Sequence, residues 1–347
     1  MKVLYACNVD HALAQGLRTL SHPEYARVRR SRNGEVVVYD TPVTTVYLWP
    51  KHRVSFWAPR DANPFFHLYE AMWMLGGRND VASVAAYVER MRTYSDDGET
   101  LHGAYGHRWR RHFGFDQLVK IAHRLREDAD DRRCVLQMWD ASEDLDVPSK
   151  DLPCNTQVYF TRDHQGHLDM TVMCRSNDII WGAYGANVVH FSMLLEYMAA
   201  AIGCPVGIYR HLSNNYHAYT PLYTNLLTAL TQVPVVEYYY GVERGHHRVD
   251  VHPLISTPVP SWDLALRDFL DGVPSAHNDP FFPYVAQPMH DAYRFYKDGK
   301  IERAIERLGS NSTVDWLVAG QGWLMRRLMR RLDNLDRSRG DSPAEET

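Results

Sequence analysis

The chain has 347 residues, of which 45% are hydrophobic, and a formal net charge of −4. That is enough for a sizeable core in one large domain or two, and the near-neutral charge gives no electrostatic basis for a general nucleic-acid partner. The five cysteines (Cys7, Cys134, Cys154, Cys174 and Cys204) are scattered without a CxxC pair, which argues against a disulfide framework or a metal site and for a reducing cytoplasm.

In chain order, residues 1–20 suggest a short strand and a short helix. The first apolar run is too short for a signal peptide, and no stretch of about 18 apolar residues argues for a membrane span. Arg32-Asn33-Gly34 marks a turn, and residues 35–50 alternate Val, Thr and Tyr as strands do. Asn63 and Pro64 open a helix as N-cap and first-turn residue. It runs through Leu75 and stops at Gly76-Gly77. Glu70 sits inside this helix, which is apolar on several sides, so its carboxylate is expected in a core or cleft rather than on a solvated face.

A second helix is predicted over residues 81–94. Residues 102–110 are a glycine-punctuated loop dense in aromatic and basic groups, a composition that often lines sites. Residues 117–128 read as an amphipathic helix, and Asp131-Arg132-Arg133 precedes a strand over 134–139. Beyond the central region, 206–212 is another strand, and His217-Ala218-Tyr219 leads into a helix reaching about residue 230. Residues 233–260 look β-rich and then irregular. Helices follow over about 262–271, 280–297 and 313–335. The basic stripe Arg326, Arg327, Arg330 and Arg331 reads as a solvated face, and the charged tail 338–347 as disordered.

The centre of the chain carries the chemistry. Pro153-Cys154-Asn155 stands just before a strand, Thr156 to Phe160. Asp163-His164-Gln165-Gly166 is a hairpin turn, and residues 167–174 form the returning strand. That strand delivers Arg175-Ser176-Asn177-Asp178, and Asn187–Ile202 reads as a buried helix. A thiol on one strand beside an arginine, a serine and a carboxylate suits a cysteine nucleophile acting on an anionic substrate. Cys134 and Cys174 fall inside strands and are expected in the core. Of the 38 basic residues only six are lysine, so guanidinium forks, suited to phosphate, dominate the cationic groups.

Arg32-Asn33-Gly34, the Glu70 helix, Tyr105-Gly106-His107-Arg108-Trp109-Arg110, Arg132-Arg133, Pro153-Cys154, Arg175-Ser176-Asn177-Asp178, Gly182, Asn187 and His217-Ala218-Tyr219 together, in this order, resemble the thymidylate synthase family. The match spans residues 32–219, well over half the chain. The resemblance implies an α/β (α+β) fold, a large mixed β-sheet packed with helices. Residues 1–347 would form one such domain, with a helical C-terminal extension over about 262–337. It also implies an obligate homodimer with sheets back to back and shared active sites, Arg132 and Arg133 reaching the partner's site.

By the same resemblance, Cys154 adds to C6 of a pyrimidine nucleoside monophosphate, and arginines nearby lower its pKa. Arg32, Arg175 and Ser176 join Arg132 and Arg133 on the phosphate. Asn187 reads the base edge, and His217 and Tyr219 bind the sugar. Tyr105 stands near the C5 proton, and Glu70 organises water and moves protons. Asp178, Trp73 and Trp181 face the folate, 5,10-methylenetetrahydrofolate.

The chain departs from the synthase pattern in four places. Asn155 stands where a synthase has histidine. Ala183-Tyr184-Gly185-Ala186 is one residue longer than the usual segment. Asn215 replaces an aspartate, and a long helix with a polar tail replaces a short apolar C-terminus. In these respects the chain resembles the hydroxymethylase branch, known from phages and from nucleoside-antibiotic pathways. The expected reaction is conversion of CMP or dCMP to the 5-hydroxymethyl form with water. Thymidylate synthase or dUMP hydroxymethylase is the alternative. A non-catalytic nucleotide- or RNA-binding protein is disfavoured by the charge and the intact Cys154. A cysteine hydrolase using His217 as base is disfavoured because no oxyanion motif is present.

Overall fold

Six strands form a mixed sheet around which the rest of the protein is laid. The computed structural model describes residues 1–239, 248–309 and 311–340, excepting the side chains of 335–340. The elements in chain order are β1 (Lys2–Ala6), α1 (Val9–Leu20), β2 (Ala26–Ser31), β3 (Gly34–Tyr39), β4 (Val43–Tyr47), α2 (Pro64–Leu75), α3 (Val81–Ala85), α4 (Tyr105–His107), α5 (Gln117–Glu127), β5 (Val135–Gln137) and α6 (Ala141–Asp144). They continue as β6 (Asn155–Arg162), β7 (Leu168–Cys174), β8 (Asn177–Asp178), α7 (Asn187–Ile202), β9 (Val206–Ser213), β10 (Tyr216–Tyr219), α8 (Thr220–Gln232), α9 (Val259–Leu270), α10 (Gln287–Lys297), α11 (Ile301–Leu308) and α12 (Asp315–Gly340).

The large sheet has the order β1-β4-β9-β7-β6-β5, with β1/β4 and β7/β9 parallel and the other pairs antiparallel. Its central strands largely alternate between buried and more open residues, most regularly in β7. Val158, Phe160, Met170, Val172 and Tyr209 point to the core. Val3, Tyr5, Tyr159, Thr171, Arg210 and Leu212 share the opposite, more exposed face. The inner face is covered by α7, which is apolar on all sides and therefore buried on all sides. The stretch Ile179–Ile202 is long and apolar enough to cross a membrane, but 83% of that window is buried in the protein.

A smaller sheet of order β2-β3-β10-β8 stands beside it. Residues 32 and 33 form the turn between β2 and β3, with Gly34 at φ 125°. The Asp163–Gly166 turn joins β6 to β7, Gly166 taking φ 86°.

Several expectations need correction. The helix predicted over 81–94 is two pieces, α3 and a 3-10 segment Glu89–Tyr94, because Val88 between them is extended at φ −135° and ψ 97°. Residues 102–110 are not an open loop. Tyr105–His107 begin a helical turn that widens over Arg108–His112, pinned by buried Arg108 on Asp144 at 2.7 Å and on Met138 O at 2.7 Å. Gly106 is required there, since a Cβ would collide with the Met74 backbone. His217 and Tyr219 lie on β10 rather than entering the next helix. No strand is found over 233–260 among the described residues, only an isolated bridge from Asp250 to Val314; residues 240–247 lie outside the described set.

The C-terminal extension begins at Val259 and contains α11, which the sequence reading missed. α12 continues to Gly340, past the start of the tail predicted from 338; residues 341–347 lie outside the described set. The basic stripe on α12 is not a free solvated face. Arg326 and Arg330 reach Asp61 at 3.1 and 3.3 Å, and Arg327 makes a two-pronged contact with it at 2.7 and 3.0 Å.

Candidate active site

Cys154 lies where two hollows meet. One is a cleft of about 650 Å³ lined by Arg29, Arg30, Arg32, Arg175, Ser176, Asn215, His217 and Tyr219. The other is a cavity of about 300 Å³ lined by Glu70, Trp73, Tyr105, Trp181, Asn187 and His190. Cys154, Asp151, Ser176 and Asp178 line both.

Local folding explains the placement. β6 and β7 pair so that Asn155 lies opposite Cys174, which puts Cys154 and Arg175 side by side just beyond the strand ends. Arg175 N donates to Cys154 O at 2.8 Å. The Arg175 side chain braces the preceding segment, donating to Pro153 O at 2.9 Å and Leu152 O at 3.2 Å. The Tyr105 hydroxyl accepts from Cys154 N and Asn155 N, each at 3.2 Å. The nucleophile's backbone is thus held from two sides.

The thiol itself corrects an expectation. Burial pushes the Cys154 pKa up, and this outweighs the opposing influence of Arg175. Arginines therefore temper the desolvation of this thiol without reversing it. Tyr105 is also pushed well above the phenol range by burial, so its hydroxyl keeps its proton. Cys174 is a core thiol donating to Ser176 O at 3.2 Å, as expected, and Cys134 is buried too.

On the cavity side, Glu70 is 7% exposed, which bears out the core or cleft reading. Its Oε2 is 2.8 Å from His190 Nε2 on α7. Asp178 is pushed up to about 6 by burial, against a backbone hydrogen bond from Ile180 N at 2.9 Å and the nearby Arg60 charge. Arg60 donates to Ile180 O at 2.9 Å and lies over the exposed Trp181 ring at 4.7 Å. Trp73, by contrast, is fully buried.

Asn187 donates through Nδ2 to Asn177 Oδ1 at 3.2 Å, and Asn177 Nδ2 donates to Ser213 Oγ at 2.9 Å. Gly182 makes room for this amide pair, since a Cβ there would stand 2.6 Å from Asn177 Oδ1. Asn155 joins the same network, its Oδ1 2.9 Å from His211 Nε2. His211 is held at about 3 by burial, so it is neutral. His217 is likewise lowered by burial.

The thymidylate synthase family model matches residues 54–240. Over 335 residues the chain is 49% identical to a deoxyuridylate hydroxymethyltransferase of Pseudomonas phage M6, covering 94% of this chain and 95% of the relative. The chain belongs to the thymidylate synthase family. A second deoxyuridylate hydroxymethyltransferase, from Bacillus phage SP01, is 35% identical over 54% of this chain and 51% of its own length. These relatives place the chain in the hydroxymethylase branch of this family of one-carbon transferases. The crystal structure of thymidylate synthase from T4 phage has the same fold, with a TM-score of 0.54 at 18% identity over 74% of this chain and 91% of that one.

Within this synthase fold, the residues singled out from the sequence gather around Cys154 with two exceptions. Arg132 is exposed, and Arg133 turns to Asp131 at 3.0 Å; neither lines the cleft or the cavity of its own chain. Four groups escaped the sequence reading: His190, Arg60, Asp151 and the Asn155–His211–Asn177 network. His190 carried one signal, its position three residues after Asn187 and so on the same face of α7. Asp151 lies two residues before Pro153; its Oδ2 accepts from Gly103 N at 2.9 Å and burial raises its pKa.

Proposed function

We propose that this protein converts dUMP to 5-hydroxymethyl-dUMP, taking the one-carbon unit from 5,10-methylenetetrahydrofolate and the oxygen from water. The observation that carries the uracil reading is the Asn177–Asn187 amide pair. Asn177 Nδ2 donates to Ser213 Oγ and lies 3.3 Å from His211 Nε2, and in this arrangement its Oδ1 faces Asn187 and accepts from Asn187 Nδ2. That leaves Asn187 Oδ1 to accept from N3–H of uracil and its second Nδ2 hydrogen to reach O4. Turning the amide to suit cytosine would set two carbonyl oxygens against each other. The names of the two phage relatives point the same way. This reading departs from the cytosine nucleotides expected from the sequence.

In the proposed reaction, Cys154 Sγ adds to C6 and makes C5 nucleophilic. Arg32, Arg175 and Ser176 hold the 5′-phosphate in the cleft, and His217 and Tyr219 the sugar. After the one-carbon unit is joined to C5, loss of the C5 proton near Tyr105 and release of the folate leave an exocyclic methylene, to which water adds. Trp73, Trp181 and Asp178 suit the folate, a flat ring system bearing N–H donors, because aromatic walls and a buried carboxylate stand on one cavity. When bound, the folate supplies the carbon at the formaldehyde level.

A homodimer completes the proposal. The exposed outer face of the large sheet, with Val3, Tyr5 and Tyr159, is the surface that would pack on a second copy. Arg132 and Arg133, turned away from their own site, would then complete the partner's phosphate clamp.

The deciding assay offers dUMP, dCMP, CMP and UMP with methylenetetrahydrofolate and reads product mass. The expected result is a gain of one CH2O on dUMP, with no dihydrofolate absorbance. A methylated product with dihydrofolate would make the protein a synthase, and a preference for dCMP or CMP would refute the uracil reading.

A further inference from the structure

Glu70, Asp151 and Asp178 are the carboxylates lining the cavity beyond Cys154. Asp151 accepts from the Gly103 backbone and Asp178 from the Ile180 backbone. Of these three carboxylates, Glu70 is the one hydrogen-bonded to a second titratable side chain among the described residues, His190 Nε2 at 2.8 Å. Both partners are buried, at 7% and 3% exposure. His190 Nδ1 is buried with no hydrogen-bond partner among the described residues, so the contact with Glu70 is the ring's one polar tie there. Its neighbour His67 is held at about 3 by burial, so it stays neutral and adds no competing charge. Asn187 and His190 present one face of α7 to the cavity, so the pair stands beside the group that fixes the base.

Adding water to a methylene requires a group that accepts a proton as the C–O bond forms. We propose that His190 is the positioning residue of this step: its Nε2 holds the Glu70 carboxylate, the group that the family resemblance assigns to water and proton handling, in a dyad whose carboxylate accepts the proton of this water. The inference rests on the hydroxymethylase reading. The water oxygen bonds to the exocyclic carbon while its proton passes to Glu70. The methylene π electrons move to the C4 oxygen. The resulting enolate then expels Cys154 Sγ from C6 and restores the C5–C6 double bond. No oxidant or reductant enters. The proton taken from water balances one of the two that the departing folate acquires, the other coming from C5.

The dyad separates the two halves of the reaction, and so does its test. His190→Asn and His190→Ser are compared with wild type using dUMP tritiated at C5, with and without a small thiol that can trap the methylene. In both variants dUMP binding and tritium release should stay within about twofold of wild type. Hydroxymethyl product should fall about 10- to 100-fold, the range for loss of general-base assistance, and trapped thioether should rise in its place. An unchanged ratio of hydroxymethyl product to thioether would overturn the proposal. So would a fall in tritium release matching the fall in product, or loss of dUMP binding in both variants, since each would make His190 a structural residue only. Wild-type production of dTMP with dihydrofolate would instead refute the underlying hydroxymethylase reading, whatever the variants do.

Discussion

On one side of Cys154 the cleft offers Arg29, Arg30, Arg32 and Arg175 from strands and turns that are largely open to water. On the other side Glu70, Asp151 and Asp178 face a cavity walled by Trp73, Met74 and Leu101. The difference lies in what each setting does to charge. Guanidinium groups keep their charge at any working pH, so the cleft holds an anion with little pH dependence but is weakened by salt. In the cavity burial acts on charge instead, raising the pKa of Asp151 and pushing Asp178 up to about 6. Binding and chemistry are thereby placed in environments that respond to different variables.

The largest effect should come from Cys154, which lines both regions. Cys154→Ala should lower turnover by more than about 10³-fold, as loss of a covalent nucleophile does. Isothermal titration should still find dUMP bound, because the arginines are untouched. Normal turnover would end the covalent mechanism. Next comes the cavity: Glu70→Gln should lower kcat by about 10²- to 10³-fold with little change in dUMP affinity. A matching loss of affinity would place Glu70 in the nucleotide clamp instead. In the cleft the pattern should invert. Arg32→Ala removes a charge-assisted contact of about 1.5–3 kcal/mol. It should raise the KM for dUMP by about 10- to 100-fold, and the remaining affinity should depend less on salt. An unchanged KM would remove Arg32 from the phosphate site.

The smallest effect is a pH dependence confined to the cavity. If the folate's N–H donors need an ionised Asp178, kcat/KM for methylenetetrahydrofolate should rise with pH and level off above about 6. Asp178→Asn should flatten that rise. Stability gives an independent check of sign. The Asp178 pKa is raised on folding from 3.8 to about 6, so the folded state binds more protons between those values. Wild type should therefore lose stability relative to Asp178→Asn as pH climbs through that window. A difference in Tm that stays constant from pH 4 to pH 7 would contradict the assignment.

The sequence revealed the site better than its supports, for a physical reason. Cys154, Arg175, Ser176 and Asp178 occur together because a hairpin brings two adjacent strand ends to one place, and the Gly166 turn with its flanking alternation is a local signal. Asn63, Pro64 and the two glycines bounded α2 by the same kind of local chemistry. His190 and His211 carry no such mark. They become informative only when packing sets Glu70 and Asn155, more than 50 residues away in either case, within hydrogen-bond reach. The arginines of α12 misled because periodicity identifies a polar face but not the lone Asp61 that folds onto it. Arg132 and Arg133 behave in the opposite way: motif resemblance places them in the phosphate site, yet neither lines the cleft or the cavity of its own chain.

Asp61 joins the two ends of the enzyme in a way that bears on how it can be handled. The residue sits in a left-handed turn, φ 49°, gripped by three arginines of the final helix. The preceding residue, Arg60, holds the Ile180 carbonyl and covers Trp181 at the cavity rim. The last helix and the rim therefore share a two-residue fulcrum, and force applied at one end is felt at the other. An affinity tag or immobilisation surface attached beyond α12 therefore acts on a helix tied through Asp61 to the segment that braces the rim.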